Sequence, residues 1–179
     1  MKGLLPVFIT VLCFLFSVNS SAYQSIIVDD ADLFNDYEET EISTVVADYT
    51  NTKGFSLAVV TTEYTSGLSS EEYACDYLDY LIDNEGFQEN ALLFLIDMDN
   101  RNVWISTSGE CIPFYNDNEI DSIIDSGYNS LVNGEYSQCI LEMTETAKNI
   151  ENEEWIYVEN SVLASDVIVK KGAVVKNGL

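Results

Sequence analysis

The sequence has 179 residues, 47% of them hydrophobic, which is enough for one domain with a sizeable core. Its 31 acidic residues outnumber 7 basic ones and give a net charge of −24, so its surface should repel nucleic acids, whose binding depends on Lys and Arg. The absence of histidine excludes Ser-His-Asp and Cys-His catalysis and histidine-bearing zinc sites.

Residues 1–22 have the pattern of a secretory signal peptide. Lys2 precedes an apolar run over residues 4–16, and small residues follow at positions 20–22, where signal peptidase requires them. An uncleaved anchor is the alternative, although the run is short for a membrane span of about 20 residues. We therefore expect a secreted or extracytoplasmic protein whose mature chain begins near Tyr23.

Four segments of the mature sequence have the composition of β-strands. They are rich in β-branched and other apolar residues, and the last one alternates apolar with polar side chains. The third is the most apolar segment of the mature chain and predicts a central strand. In chain order these segments are residues 23–28, 55–62, 91–96 and 103–107.

Four helices are predicted from capping signals and apolar spacing. Capping boxes open the first two, where Asn35 is followed by Glu38 and Ser69 by Glu72. Asp117 is predicted to cap the third helix, and Gly134 separates it from the fourth. The residues predicted to face the core are Ile42, Val45, Val46 and Tyr49, then Ala74, Tyr77, Leu78, Leu81 and Ile82, then Ile120, Ile123, Ile124 and Leu131, and finally Tyr136, Ile140, Met143, Ala147 and Ile150.

The element order β-α-β-α-β-β-α-α predicts an α/β fold, in which a single mixed sheet is packed with helices. We assign this domain to residues 23–150. The tail, residues 151–179, contains short β-like runs, and its end carries lysines but no acidic residue. No tail segment reaches the length of a membrane span. The chain is either a complete secreted protein or one that stops before a membrane anchor.

Three cysteines remain in the mature sequence, and their number and spacing exclude several kinds of site. No CxxC pair exists, which argues against a zinc or redox centre. Cys75 and Cys139 fall on or near apolar helix faces, where cysteine usually serves as a small hydrophobic residue. A disulfide between Cys111 and Cys139 is the alternative for an exported chain.

The segment DMDNR, residues 97–101, allows three interpretations. An EF-hand loop fails, because Arg101 occupies a ligand position and Asn102 replaces the glycine of the bend. An aspartyl nucleophile of the haloacid dehalogenase type would use Asp97 and Asp99, but a strand follows where that motif needs a helix. A β-hairpin turn fits both flanking strands and predicts an ion pair of Arg101 with Asp97 or Asp99.

A set of short motifs follows a fixed order along the mature sequence. Its residues are Asp29, Ala31, Leu33 and Phe34, Leu92–Ile96 with Asp97, Asp99 and Arg101, Val103–Ile105, Gly109, Asp117, and Gly134-Glu135-Tyr136. Their order resembles the TPM domain family, exported or membrane-tethered α/β modules of bacteria and chloroplasts, and the resemblance covers residues 26–150. One position departs from it, because Asn100 stands where the commonest family pattern has a second acidic residue before the arginine.

The resemblance implies that Asp29, Asp97, Asp99 and Asp117 gather around Arg101 at one end of the sheet. An oxygen-only cluster of this kind would bind a hard cation, calcium above all. Some family members are linked with acid phosphatase activity. In that case Asp97, Asp99 and Arg101 form the catalytic set, with the metal polarising the phosphoryl oxygen. Asn100 removes one charge from this site and so lowers the expectation of catalysis.

Three functional hypotheses follow from the sequence. The first is a non-catalytic extracytoplasmic module that binds a divalent cation, an envelope protein partner, or both. The second is a metal-dependent acid phosphatase that uses the aspartate cluster and Arg101. The third is a cell-surface subunit whose basic tail precedes an anchor. The acidic surface, the missing histidine and the incomplete cluster favour the first hypothesis.

Overall fold

The computed structural model describes residues 23–151 and the backbone of residues 157–159 and 174–176. The predicted signal peptide and most of the predicted tail lie outside these residues. Within the described part, none of the helices combines the length and apolarity needed to cross a membrane.

The predicted order of strands and helices is confirmed, with one addition. A one-turn helix, α3, follows the fourth strand and was not predicted, since four residues are too short to show helical periodicity. Among the described residues, two short tail strands, β5 and β6, form a separate parallel pair. The elements are β1 (Ser25–Asp29), α1 (Asp36–Lys53), β2 (Ser56–Thr62), α2 (Ser70–Asn84), β3 (Ala91–Asp97), β4 (Asn102–Ser108), α3 (Cys111–Phe114), α4 (Asp117–Val132), α5 (Tyr136–Asn149), β5 (Tyr157–Glu159) and β6 (Val174–Lys176).

The main sheet is mixed and has the strand order β1-β2-β3-β4. The first three strands are parallel, because α1 and α2 return the chain to the same edge each time, and β4 runs antiparallel to β3. Asp29 lies opposite Thr61, and Thr62 lies opposite Asp97. The three parallel strands therefore end together, at an edge that we call the carboxyl edge.

Two hydrophobic cores lie on the two faces of the sheet. On one face α1, α4 and α5 contribute residues such as Val46, Ile123 and Ile140 to the larger core. On the other face α2 covers the sheet, with Leu78 and Leu81 in the smaller core. Burial on both faces explains why β2 and β3 are so apolar and are buried along their whole length.

The amino edge of the sheet holds the start of α4. Ser108, the last residue of β4, lies opposite Ala91, the first residue of β3, so the chain leaves β4 at this edge. Tyr115 follows α3 there, and its hydroxyl bonds with the hydroxyl of Tyr49 (2.9 Å) and donates to the carbonyl of Ala147 (3.0 Å). These buried contacts lie near the carboxyl ends of α1 and α5.

The capping predictions hold for two helices and are wrong by one residue for α4. Asn116, not Asp117, is its N-cap: the Asn116 side chain accepts from Asn118 N (3.0 Å), and Glu119 accepts from Asn116 N (2.7 Å). Asparagine caps a helix as well as aspartate does, and here the capping box decides between the two neighbours. Asp117 is therefore the first residue inside α4.

The cysteines are all free among the described residues, so the alternative of a Cys111–Cys139 disulfide is wrong. Both of these thiols are buried and take part in the larger core. The expected apolar environment is thus confirmed for Cys139 but not for Cys75, which is exposed. Its sulfur lies 3.3 Å from the hydroxyl of Ser106.

Candidate functional site

Asp29 organises the loop that follows β1 at the carboxyl edge. Its two carboxylate oxygens accept hydrogen bonds from the backbone of Leu33 (3.1 Å) and Phe34 (2.8 Å). The hydroxyl of Thr61, on the neighbouring strand, also donates to Asp29 and in turn accepts from Ala31 N at 3.1 Å. Asp29 therefore fixes the entry to α1, which is a structural task.

Asp97 ends β3 and is fully buried. Its Oδ2 accepts from the hydroxyl of Ser70 (2.7 Å) and from Nδ2 of Asn100 (2.8 Å), and its Oδ1 accepts from Asn100 N (2.9 Å). Burial by itself would raise the pKa of this carboxyl group. The hydrogen bonds from Asn100 and Ser70 outweigh that effect, so the pKa of Asp97 lies below its usual value.

Asp99 and Asn100 connect the turn after β3 to the loop before α2. Oδ2 of Asp99 accepts from the backbone N (3.0 Å) and the hydroxyl (2.9 Å) of Thr65, which is itself buried. The Asn100 amide also donates to the carbonyl of Leu68 at 3.1 Å. The side chain of an aspartate at position 100 could not donate to Asp97 or Leu68, so the departure from the commonest family pattern supplies two side-chain hydrogen bonds here.

Arg101 ends the turn in a left-handed backbone conformation, with φ of +54°. Within the described residues the ion pairs are those of Lys148 with Asp48 (3.1 Å) and Glu145 (2.5 Å), and Arg101 forms none. The predicted ion pair of Arg101 with Asp97 or Asp99 is therefore not formed, because both carboxylates accept from neutral donors instead. The guanidinium side chain is exposed.

Arg101 borders a groove of about 690 Å³ between the carboxyl edge and the end of α4. Two of its large hydrophobic residues are exposed: Tyr128 is 56% and Val132 is 60% accessible. Polar residues of the groove wall include Asn102 and Asn133. The groove is lined by Ile96, Asp97, Met98, Arg101, Asn102, Tyr128, Leu131, Val132, Asn133, Gly134 and Tyr136.

The four aspartates expected to gather around Arg101 do not all come together. Asp29 ends β1 and Asp97 ends β3, both at the carboxyl edge but with β2 between them, and Asp99 follows in the turn after β3. Asp117 begins α4 at the opposite, amino edge, because β4 runs antiparallel and carries the chain away from the site. As a set of four they do not fit one calcium ion.

The three aspartates at the carboxyl edge are each engaged with protein donors. Among the described residues, no group of three or more His, Cys, Asp or Glu side chains is arranged to hold a metal.

Sequence patterns did not reveal the partners Thr61, Thr65 and Ser70, which lie far from their aspartates along the chain. A threonine pair at the end of a buried strand, Thr61-Thr62, was the one available signal that polar groups were needed there.

Several solved structures are similar to this chain in fold, three of them as follows. The N-terminal domain of a Corynebacterium glutamicum protein matches with a TM-score of 0.58 and 15% identity, over 80% of this chain and 89% of that one. The N-terminal domain of a protein from P. gingivalis matches at 0.61 and 18%, over 69% and 80%. The BA42 protein of Bizionia argentinensis matches at 0.56 and 19%, over 64% and 79%.

These identities are low and show the fold alone. A comparison with curated protein sequences gives no significant match. The sequence model of the TPM domain, by contrast, matches residues 27–150, which is most of the chain and nearly the range of the resemblance noted in the sequence. The chain therefore belongs to the TPM domain family.

Proposed function

We propose that this TPM domain is a non-catalytic, extracytoplasmic module that binds a segment of an envelope protein in the groove beside Arg101. The observation that carries the proposal is the state of Arg101. In a chain with 31 acidic residues, its guanidinium is exposed at the groove and has no ion pair among the described residues. An acidic group brought by a partner would satisfy it, by a bidentate bond if it is a carboxylate.

The rest of the groove defines the partner further. Its volume of about 690 Å³ lies in the range of ordinary ligand pockets, and Met98 and Leu131 line it together with exposed Tyr128 and Val132. Aromatic and methionine side chains are enriched in the centres of protein interfaces. The net charge of −24 on the whole chain repels strongly anionic partners. The segment that fits best therefore carries one acidic residue flanked by apolar residues.

Backbone strain at Arg101 also supports a functional role for this residue. A left-handed conformation costs a residue with a Cβ about 1–2 kcal/mol, and glycine would avoid that cost. Strained residues of this kind cluster at binding sites. This chain thus has arginine at a position whose backbone conformation favours glycine.

A metal-dependent acid phosphatase is the competing proposal, and the observation in its favour is that Asp97 and Arg101 border the same groove. It requires an Asp97 oxygen that is free to attack phosphorus. Both oxygens instead accept hydrogen bonds from Ser70 and Asn100, and the side chain is fully buried. This arrangement favours a structural role for Asp97.

Photo-crosslinking tests the partner proposal. A benzoyl-phenylalanine placed at Val132 should capture one specific envelope protein of the source organism. Arg101→Gln and Tyr128→Ser should each reduce capture by about tenfold or more, as expected for central interface residues. Lys148→Gln and Ile112→Ser are the matched controls. Lys148 is paired elsewhere, and Ile112 is equally exposed but lies by the amino edge.

Arg101→Gly tests whether a loss of capture comes from lost binding or from an unfolded domain. It should abolish capture while raising the free energy of unfolding by about 1 kcal/mol, because it relieves the backbone strain. Capture that survives both Arg101 variants would overturn the proposal. Hydrolysis of a chromogenic phosphate ester with Ca²⁺, Mg²⁺ or Mn²⁺ at acidic pH, lost in Asp97→Asn but kept in Asp125→Asn, would establish the phosphatase instead.

A calcium titration by calorimetry addresses the remaining expectation. The predicted calcium site stays a prediction, and its ligands at the carboxyl edge are reduced to Asp29, Asp97 and Asp99. Binding that is weakened by Asp99→Asn but not by Asp117→Asn would support a site at this edge. Equal weakening by both variants would indicate attraction to the acidic surface as a whole.

A further inference from the structure

The main sheet has an unpaired side at β4. Within the described residues β4 pairs with β3 alone, so the backbone groups on its other side have no strand partner. Edge strands usually carry charges, proline or a bulge, which prevent them from pairing with other proteins. β4 has none of these: its seven residues are uncharged, and its register with β3 is continuous. The other edge strand, β1, is shorter and ends in Asp29.

A cavity of about 660 Å³ opens along this side of β4, next to the first half of α4. Trp104 and Ile105 are neighbours whose side chains pack on opposite faces of the sheet, yet both line the cavity. The cavity therefore reaches the backbone edge of β4. Ile120 and Ile124 form its wall on the α4 side.

This cavity and the groove beside Arg101 lie end to end between β4 and α4. The groove meets the start of β4 at Asn102, and the cavity meets later residues up to Thr107. The α4 residues that line the two spaces follow a spacing of three to four residues and so share one side of the helix. We call groove and cavity together the β4 trough. Its apolar residues on α4 are Ile120, Ile124, Tyr128, Leu131 and Val132.

The exposed charged residues that line the β4 trough differ in sign at its two ends. Arg101 lies at one end, and Asp117 and Asp121 lie at the other. In the part of the chain that the structure describes, none of the three forms an ion pair. An acidic residue at the first end and a basic residue at the second would therefore complement the trough.

We propose that the partner segment binds in the β4 trough as an added fifth strand of the sheet, antiparallel to β4. This inference rests on the proposed function and specifies how the partner binds there. Strand addition satisfies the free backbone groups of β4, and the cavities beside the strand select among side chains. Antiparallel pairing is the more stable arrangement, and it places the basic residue toward the N-terminus of the segment and the acidic one toward its C-terminus.

The length of β4 fixes the spacing of the two charges. The paired segment spans Asn102–Ser108 and ends before α3. Charges six residues apart, at about the two ends of this span, point to the same side of an extended segment, here toward α4. A second copy of the chain is a poorer occupant, because two chains with a net charge of −24 repel each other.

Titration of the full chain with synthetic peptides tests the proposal. The probe peptide, with both ends blocked, reads Arg-Thr-Val-Thr-Val-Thr-Glu, so that both charges and both valines lie on one side. The comparison peptide exchanges Arg and Glu. We expect the probe to bind more tightly by about threefold or more, because the exchange places each charge beside a like charge.

Backbone methylation of the probe distinguishes strand pairing from side-chain docking. Every second N–H of an added strand donates to β4, and those between point away. One N-methyl group in the first set should weaken binding by about tenfold, and one in the second set by less than about twofold. Hydrogen exchange should show alternate amides of β4 becoming protected by the probe. Equal effects of the two methyl positions, or unprotected β4 amides, would overturn strand addition.

Charge variants test the position of the basic residue. Asp117→Asn with Asp121→Asn should weaken binding of the probe by about two- to fivefold. Glu39→Gln with Glu41→Gln is the matched control, since it removes two exposed charges from α1. Equal weakening by both pairs would contradict the predicted contact of the basic residue with α4.

Failure of this inference differs from failure of the proposed function. Capture at Val132 that depends on Arg101, without protection of β4, would keep the partner and reject strand addition. Protection of β4 that Arg101→Gln leaves unchanged would keep strand addition and reject the role of Arg101. Concentration-dependent protection of β4 without peptide would identify a second copy as the occupant and overturn the inference.

Discussion

The hydroxyl of Ser70, the first residue of α2, donates a 2.7 Å hydrogen bond to the carboxylate of Asp97, the last residue of β3. Both side chains are buried, and they are 27 residues apart in the sequence. This bond joins the start of the helix on one face of the sheet to the turn that carries Arg101. Ser70, which does not line the groove, thus holds Asp97, a residue that does.

Ser70→Ala is expected to lower the free energy of unfolding by about 1.5–3 kcal/mol, since it removes a hydrogen bond to a buried charged group. Chemical denaturation measures this change. Ser122→Ala is the control, because the Ser122 side chain is exposed and bonds only to a carbonyl of its own helix. If the two variants lose equal free energy of unfolding, the Ser70–Asp97 bond contributes no more to stability than an exposed side-chain hydrogen bond within a helix.

Stability should depend on the ionisation of Asp97. Its pKa is lowered in the folded protein, so its hydrogen bonds contribute stability above the unfolded pKa of about 3.9 and lose it as pH falls through the lower, folded pKa. The difference in unfolding free energy between wild type and Asp97→Asn should therefore shrink below about pH 4. Urea titrations from pH 2 to 6 measure it, with exposed Asp125→Asn for comparison. A pH-independent difference would contradict the role assigned to Asp97.

Gly127 lets α4 and α5 approach closely, and Gly127→Ala should destabilise the domain. An added Cβ would lie 2.8 Å from Sγ of Cys139, 2.9 Å from its carbonyl oxygen and 2.9 Å from Cγ of Met143. We expect a net loss of about 1–3 kcal/mol from overpacking, although alanine favours helices by about 1 kcal/mol over glycine. Thermal melting compares it with Asn129→Ala, an exposed control on the same helix. A raised melting temperature for Gly127→Ala would show that α4 and α5 can move apart at little cost in free energy.

Thiol reactivity should distinguish the three cysteines of the domain. Burial, aided by Glu110 for Cys111 and by Glu142 for Cys139, raises the pKa of each thiol to about 12, whereas Cys75 is exposed. In a Cys13→Ser background, a disulfide reagent at pH 8 should label one thiol quickly and the other two only after denaturation. Replacing Cys75 by Ser should remove the fast phase. Rapid labelling of all three would mean that the larger core opens readily.

Much of the fold could be predicted because its signals are local. Capping boxes join residues three apart, as at Asn35 and Ser69, and both were confirmed as helix starts. The uniform apolarity of residues 91–96 predicted a strand covered on both faces. The candidate site was predicted less well, since Asp97 and Asp99 were assigned to Arg101, the nearest opposite charge in the sequence. Their actual partners carry no charge: Ser70 is the first residue of α2, and Thr65 lies in the connection before it.

The family, the order of the elements and the excess of negative charge could all be read from the amino-acid sequence, because each depends on residue type or on spacings of a few residues. Which side chains meet depends instead on how the strands pair. Antiparallel pairing of β4 sent Asp117 to the far edge, and parallel pairing of β2 with β3 set Thr62 opposite Asp97. Hydrogen bonds between residues about 30 positions apart produce no periodic pattern in the sequence, so Thr61, Thr65 and Ser70 are identified as partners of the carboxyl-edge aspartates only in the folded structure.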